Sequence, residues 1–86
     1  MNKFKTRDEI IEEVKKMSHY EKDVIYRYVW SEYVKDDIES QCESRDIMLT
    51  EEAIDEIVNR YVYEGDYDCN LSYWDNIDNL IDEYNT

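Results

Sequence analysis

Apolar residues recur every three or four positions along most of this chain, the spacing that places side chains on one side of an α-helix. The first such stripe consists of Ile10, Ile11, Val14 and Met17. Charged residues fill the positions between them, so the pattern predicts a short amphipathic helix that ends near Ser18.

Four sequence signals mark where helices begin. Thr6 and Ser18 are each followed three positions later by a glutamate, the capping-box pattern that satisfies backbone donors at a helix start. Thr50 precedes two glutamates, and Ser72 precedes an aspartate by three positions. We therefore expect four helices, the third of which ends before Gly65, a residue suited to a left-handed cap.

The third and fourth helices carry apolar faces of their own. The face of the third helix consists of Ile54, Ile57, Val58, Tyr61 and Val62, with Leu49 placed to pack on Ile54. The face of the fourth consists of Trp74, Ile77, Leu80, Ile81 and Tyr84. We expect these faces, including Trp74 and Tyr84, to form much of the core.

The segment 24–34, "VIYRYVWSEYV", has apolar residues on every side of a helical projection. This pattern predicts burial on most sides, in a central helix or in one half of a dimer interface. Its residues also favour strands, so an α+β fold with a short strand or hairpin is the alternative. A helix from His19 to about Glu43 would be roughly 37 Å long, and a kink or break near Ser31 would shorten it.

Length and composition favour one helical domain over residues 1–86, an all-α compact bundle of about four helices with a long central helix. The 86 residues include no proline and one glycine, and no apolar run approaches the length of a membrane span. No apolar signal segment is evident, so the expected location is the cytoplasm. Cys42 and Cys69 are 27 positions apart, and reduced thiols are favoured over a disulfide.

Negative charge is concentrated in the second half of the chain. The net charge is −13, and residues 44–86 hold 12 acids but only two bases, Arg45 and Arg60. On the fourth helix Asp75, Asp78 and Asp82 fall within an arc of about 60°, so they should form a row of carboxylates along one edge.

The residues give little support for a metal site or a catalytic site. Asp66, Asp68 and Asn70 fit the first oxygen positions of a calcium loop, but Leu71 replaces the required glycine and Ile77 the closing glutamate. A single histidine and two separated cysteines do not form a zinc site or an activated nucleophile. We expect no enzyme, no metal site and no cofactor; calcium binding remains a third hypothesis.

The carboxylate rows themselves need an explanation. Like-charged residues four apart in a helix oppose folding by about 0.2 to 0.5 kcal/mol per pair. Solubility is one explanation, since acidic surfaces keep proteins dispersed. Imitation of a nucleic-acid backbone is the other, because four helical residues advance about 6 Å, near twice the 3.4 Å charge spacing of one DNA strand.

The small size, acidity and interleaved tyrosines of residues 63–84 resemble those of phage-encoded inhibitors of bacterial defence, the DNA-mimic and anti-CRISPR proteins. The resemblance lies in composition and surface character, and these inhibitors share no common fold. It implies that the chain occupies the basic cleft where a nuclease such as Cas9 reads DNA, inside an infected or lysogenic bacterial host. The partner-binding residues are then Glu64, Asp66, Tyr67, Asp68, Tyr73, Asp75, Asp78, Asp82 and Glu83.

The main functional hypothesis is therefore a noncatalytic inhibitor that binds a basic nucleic-acid-binding protein, with a CRISPR effector nuclease as the favoured target. It predicts no direct contact with nucleic acid or membrane. The alternative is a helical interaction module or dimeric regulator, which associates through segment 24–34 and whose acidity only keeps it soluble.

Overall fold

The computed structural model describes residues 5–85, which form four α-helices and no strand. The helices are α1 (Arg7–Lys15), α2 (His19–Ser44), α3 (Glu51–Val58) and α4 (Tyr73–Tyr84). The all-α class expected from the sequence is confirmed, and segment 24–34 is helix throughout. None of the helices in the described range combines the length and apolarity that crossing a membrane requires.

Each helix begins directly after the hydroxyl residue that the sequence predicted, namely Thr6, Ser18, Thr50 and Ser72. At the start of α1 the Thr6 hydroxyl accepts from the Glu9 backbone at 3.2 Å, and the Glu9 carboxylate accepts from the Thr6 backbone at 3.2 Å. Ser18 and Glu21 repeat this capping box on α2. Hydrogen bonds from the cap backbone lower the pKa of both glutamates, so the caps are strongest when these carboxylates are charged.

The second helix runs for 26 residues without a break. The Ser31 hydroxyl donates to the Tyr28 carbonyl at 2.6 Å, and the helix continues through this position. It ends where Asp46 adopts a left-handed conformation, with φ of 56°. The Ile47 backbone then donates to the Cys42 carbonyl at 2.8 Å, closing a Schellman motif.

A π-helical turn, Asn59–Tyr63, continues α3 toward the acidic loop. The Glu64 backbone donates to the Asn59 carbonyl at 3.1 Å, a bond that spans five residues. The neighbouring residues Tyr61 and Val62 are both buried. Gly65 follows with φ of 65°, the left-handed conformation that the sequence predicted for it.

The core lies between the second half of α2, α3, the π-helical turn and α4. Its buried apolar side chains are Val34, Ile38, Cys42, Ile57, Val58, Tyr61, Val62, Ile77, Leu80 and Ile81. Tyr84 packs against this core as expected, but Trp74 is 47% exposed, so the expectation that it is buried is wrong. The neighbouring Tyr73 packs there instead. Cys42 is buried, Cys69 is exposed, and both are free thiols.

Most of the first part of the chain stands away from this core, and its contacts with the core region include the Trp30 ring against Tyr61 and the Arg27 hydrogen bond to the Val62 carbonyl. No residue of α1 is buried, and Val24, Ile25, Tyr26 and Val29 of α2 are exposed. The prediction that segment 24–34 is buried on most sides is therefore wrong for a single chain. We call residues 5–31 the arm and residues 32–85 the lobe. The radius of gyration is 16.2 Å, against about 12 Å for a compact globule of this length, so the molecule is elongated.

Candidate protein interface

Two of the three aspartates predicted to form a row on α4 are bound within the chain. Arg45, just after α2, places one guanidinium nitrogen 3.2 Å from Asp78 and the other 2.6 Å from Asp82. The Gln41 amide also donates to Asp78 at 2.8 Å. Arg45 therefore ties α2 to α4 and neutralises part of the row, whereas Asp75 has no ion pair with any base of residues 5–85.

Arg60 binds two more of the predicted contact residues. Its guanidinium lies 2.6 Å from Asp66 and 2.6 Å from Glu83, and it also lies over the Tyr84 ring at 5.8 Å. The two bases of the acidic half are thus both directed onto the surface that the sequence suggested for a partner. Four of its seven carboxylates already have a guanidinium partner.

The two tyrosines predicted as partner contacts both pack toward the lobe. The Tyr67 ring lies 4.7 Å from that of Tyr61 yet remains 44% exposed. Tyr73 meets Tyr61 edge-on at 5.7 Å and donates its hydroxyl to Asp37 at 2.6 Å. Tyr67 retains a surface that a partner can contact, whereas Tyr73 mainly joins α4 to α2.

Asn76 fixes the loop that carries the remaining predicted acids. This buried side chain accepts from the Asp68 backbone at 2.8 Å and donates to the Asp68 and Ser72 carbonyls at 2.9 and 3.1 Å. The Asp68 carboxylate accepts from the Asn70 backbone, and Glu64 accepts from the Asn59 amide. The acidic loop is therefore ordered from within.

A second row of carboxylates lies on α2, where sequence reasoning did not place one. It consists of Glu32, Asp36, Glu39 and Glu43, all of them exposed. Their spacing of four, three and four residues confines them to an arc of about 60°, turned away from the core residues of the same helix. None of them is ion-paired with a base in the described range. We call these four residues the α2 carboxylate row. Their spacing of four, three and four residues is the sequence signal that could have revealed it.

The acidic side of α3 lies beside this row. Lys35, the residue before Asp36 on α2, lies 3.5 Å from Asp55 and 3.8 Å from Glu51. The Asp55 carboxylate raises the pKa of Lys35. Two further acids of α3, Glu52 and Glu56, are exposed. One lysine thus stands among the carboxylates of two adjacent helices, and the surface as a whole stays strongly negative.

The Arg45 contact shows what such carboxylates can hold. Asp78 and Asp82 are four residues apart, and together they bind the two terminal nitrogens of one guanidinium. The α2 carboxylate row contains two pairs with the same separation, Glu32 with Asp36 and Glu39 with Glu43. Charge-assisted hydrogen bonds to arginine are among the stronger polar contacts in proteins. Each pair therefore offers a place for an arginine from another molecule.

The structure gives no support for a metal site among residues 5–85. No three His, Cys, Asp or Glu side chains in this range are grouped as metal ligands. Of the residues that fit a calcium loop, Asp66 is bound by Arg60 and Asp68 by the loop backbone. The geometry suits the binding of cationic groups by exposed carboxylates, with aromatic rings nearby.

Comparisons with protein-family models, with curated proteins and with solved structures find no match to this chain. The candidate interface is therefore described from its own residues: a carboxylate row on α2, the acids of α3 beside it, and an acidic loop and helix α4 in which two arginines already occupy four carboxylates.

Proposed function

We propose that this chain is a noncatalytic inhibitor that binds a basic nucleic-acid-binding protein and blocks its nucleic-acid site. One observation carries the proposal: the α2 carboxylate row is exposed and makes no ion pair with a base of residues 5–85. Like-charged neighbours at this spacing oppose folding by about 0.2 to 0.5 kcal/mol per pair. A basic partner would turn that unfavourable interaction into a favourable one.

The dimensions of the row suit a surface that normally holds a nucleic acid. Eleven residues separate Glu32 from Glu43, which corresponds to about 16 Å along the helix axis. Carboxylates on successive turns are about 6 Å apart, near twice the axial charge spacing of one DNA strand. A cleft that places arginines against phosphates could place the same arginines against this row.

Aromatic surface lies next to the row. Tyr28, one turn before Glu32, is 59% exposed, and its hydrogen bond to Glu32 raises the pKa of its hydroxyl. An exposed phenol ring beside a carboxylate can stack on an arginine while the carboxylate binds the guanidinium edge. This pairing would give the contact more specificity than charge alone.

A Cas9-type effector is the favoured target, because the chain resembles phage-encoded anti-CRISPR and DNA-mimic inhibitors in size, acidity and tyrosine content. Such an effector reads DNA with arginines in a positively charged channel. The net charge of −13 would also speed encounter with that channel at low ionic strength. The inhibitor would act in the cytoplasm of the infected or lysogenic host.

A competition gel shift tests the proposal. The protein is added to a guide-loaded Cas9-type effector with labelled target DNA, and DNA release is measured at rising salt. We expect release at low salt, with an effect that weakens as salt rises. Neutralising the α2 carboxylate row (Glu32→Gln, Asp36→Asn, Glu39→Gln and Glu43→Gln) should raise the inhibitory concentration at least tenfold, because two arginine contacts of about 1.5 to 3 kcal/mol each are lost.

A matched control removes the same number of charges from the arm. Its substitutions are Asp8→Asn, Glu12→Gln, Glu13→Gln and Asp23→Asn. This variant should still inhibit to within about threefold, since the net charge changes equally but the row is intact. Equal loss in both variants would mean that only total charge matters, and failure of the unaltered protein to release DNA would reject this target class.

A further inference from the structure

The arm contains an apolar groove that the rest of the described chain leaves uncovered. It lies between α1 and the first half of α2 and has a volume of about 410 Å³. Apolar atoms form almost all of its wall. The residues that line it are Val14, Met17, Lys22, Ile25, Tyr26 and Val29.

Further exposed apolar side chains lie one helical turn beyond the groove residues on each helix. Ile10 precedes Val14 by one turn of α1, and Tyr33 follows Val29 by one turn of α2; all four are exposed. Helical residues four apart lie on the same side. A single soluble chain rarely presents an apolar surface this long unless another molecule covers it.

The distribution of charge indicates which molecule covers the groove. The arm, residues 5–31, holds six bases and six acids, whereas the lobe, residues 32–85, holds 17 acids and three bases. Two copies of so acidic a protein repel each other through their lobes. They can approach closely through the arm, the one part of the described chain without net charge.

We propose that the apolar groove is the interface of a homodimer, in which the arm of a second copy packs antiparallel against the first. Such an arrangement is two-fold symmetric, and each groove is covered by the same residues of the partner. The two lobes then lie at opposite ends of the assembly, where their repulsion is smallest.

The available area is near what a stable dimer needs. Six large apolar side chains, each exposing on the order of 100 Å², offer about 600 to 700 Å² per molecule, against about 800 Å² per partner in a standard interface. These side chains are Ile10, Val14, Ile25, Tyr26, Val29 and Tyr33. Neighbouring charged side chains that also make contact would supply the difference.

The charges that flank the groove suit antiparallel pairing. Lys22 lines the groove and Lys16 directly precedes the lining residue Met17; neither lysine is ion-paired with an acid of residues 5–85. Glu32 and Asp36 follow Ile25 and Val29 by seven residues, so they lie on the same side of α2, further along the helix. Antiparallel packing brings the lysines of one copy toward the acids of the other.

This proposal goes beyond the inhibitor function and does not depend on it. The dimer would engage Glu32 and Asp36, so an effector would reach only Glu39, Glu43 and the acids of α3 unless it separates the two copies. Self-association is measured on the protein alone, whereas inhibition requires an effector and its DNA. Failure of one proposal would therefore leave the other intact.

Sedimentation velocity tests the dimer directly. At tens of micromolar protein and about 0.15 M salt, we expect a mass twice the 10.6 kDa of one chain. Val29→Glu should restore the monomer, because it places a charge in the groove. Val24→Glu is the matched control: Val24 and Val29 are 47% and 45% exposed on the same helix, but Val24 lies outside the groove, so this variant should remain dimeric.

Charge reversal tests the antiparallel arrangement. Lys16→Glu with Lys22→Glu should weaken the dimer at least tenfold, and so should Glu32→Lys with Asp36→Lys. Combining all four substitutions should restore most of the affinity, since bases again face acids. Circular dichroism should show unchanged helix content in every variant.

Three results would overturn the proposal. One is a monomeric mass for the unaltered protein up to hundreds of micromolar. Another is equal dissociation by Val24→Glu and Val29→Glu, which would assign association to a different face. The third is absence of rescue in the fourfold variant, which would exclude antiparallel packing of the arms.

Discussion

Tyr73 lies in the first turn of α4, and its hydroxyl reaches across to Asp37 of α2 at 2.6 Å. Burial raises the pKa of Tyr73, and the hydrogen bond and charge of Asp37 raise it further. The folded protein therefore holds this proton more tightly than the unfolded chain does. The resulting contribution to stability is complete below about pH 10 and is lost as the pH rises toward the folded pKa.

Replacing Tyr73 by phenylalanine should have two effects. At neutral pH the free energy of unfolding should fall by about 1 to 2 kcal/mol, because Asp37 loses a donor. Between about pH 9 and pH 11 the variant should lose less stability than the unaltered protein, by at most about 1 kcal/mol at this half-buried site. Urea unfolding at several pH values measures both quantities.

The control for this experiment is Tyr20→Phe, which removes a hydroxyl from an exposed tyrosine of α2. It should leave both the stability and its alkaline slope unchanged. If Tyr73→Phe loses stability with pH as steeply as the unaltered protein, the Tyr73 hydroxyl does not account for the alkaline loss.

Asn76 shows a limit of sequence reasoning at this scale. It stands among aspartates and asparagines near the start of α4, where a polar residue is expected on the surface. Its burial follows from the loop that folds back over it, with Asp68 eight residues earlier. No local periodicity reveals such a contact, because the loop path is fixed only when the helices pack.

At the level of elements, α2 joins two regions of different packing. Its second half contributes Val34, Ile38 and Cys42 to the core, whereas none of its first half is buried. Backbone hydrogen bonds in a helical segment with no buried side chain open more readily than those held by a core. One continuous helix should therefore show two levels of local stability.

Hydrogen exchange should detect this difference. We expect amides of residues 22–29 to exchange at least tenfold faster than those of residues 38–42. The Val29→Glu variant is the suitable background, since self-association cannot protect its arm. Uniform protection along α2 in that variant would mean that the arm is stabilised by contacts within one chain.

The elements themselves were largely predictable. All four helix starts could be identified because a capping hydroxyl satisfies backbone donors locally, within three residues of its own position. The π-helical turn could not, because no local sequence signal marked the point where the backbone hydrogen bonds change to a five-residue spacing. The exposure of segment 24–34 was also beyond the sequence, since an apolar pattern predicts a covered surface but not which molecule covers it.

Across the whole molecule, negative charge opposes folding of the lobe. With 17 acids and three bases in residues 32–85, repulsion between carboxylates extends over several helices. Arg45 and Arg60 relieve part of it by bonding α4 and the acidic loop to neighbouring elements. Dissolved ions can screen most of the remaining repulsion between carboxylates.

Added salt should therefore stabilise the protein. Raising NaCl from about 0.02 M to about 0.5 M should increase the free energy of unfolding by about 1 to 2 kcal/mol, as the screening length shrinks below the spacing of the helices. Urea titrations of the Val29→Glu monomer measure this increase in the free energy of unfolding without interference from association. KCl should act equally, and a fall in stability with salt would contradict the effect.

The sign of the charge on the candidate interface was predictable from the sequence, but the location of its unpaired carboxylates was only partly so. The surplus of acids in the second half could be read directly, but Arg45 lies 33 and 37 positions from Asp78 and Asp82. Only the packing of α2 on α4 brings them together. That packing neutralises two of the three aspartates of the row on α4 and leaves the row on α2 without an ion pair.

The unbroken course of α2 sets a fixed length. Its 26 residues include no glycine or proline and extend about 39 Å, so the helix acts as a stiff spacer between its two ends. Two such helices packed antiparallel, as in the proposed dimer, would hold the two acidic lobes at one defined separation. A target that offers two cationic sites at that separation would be bound with avidity. Binding of one lobe would raise the effective concentration of the other at the second site, without any new contact.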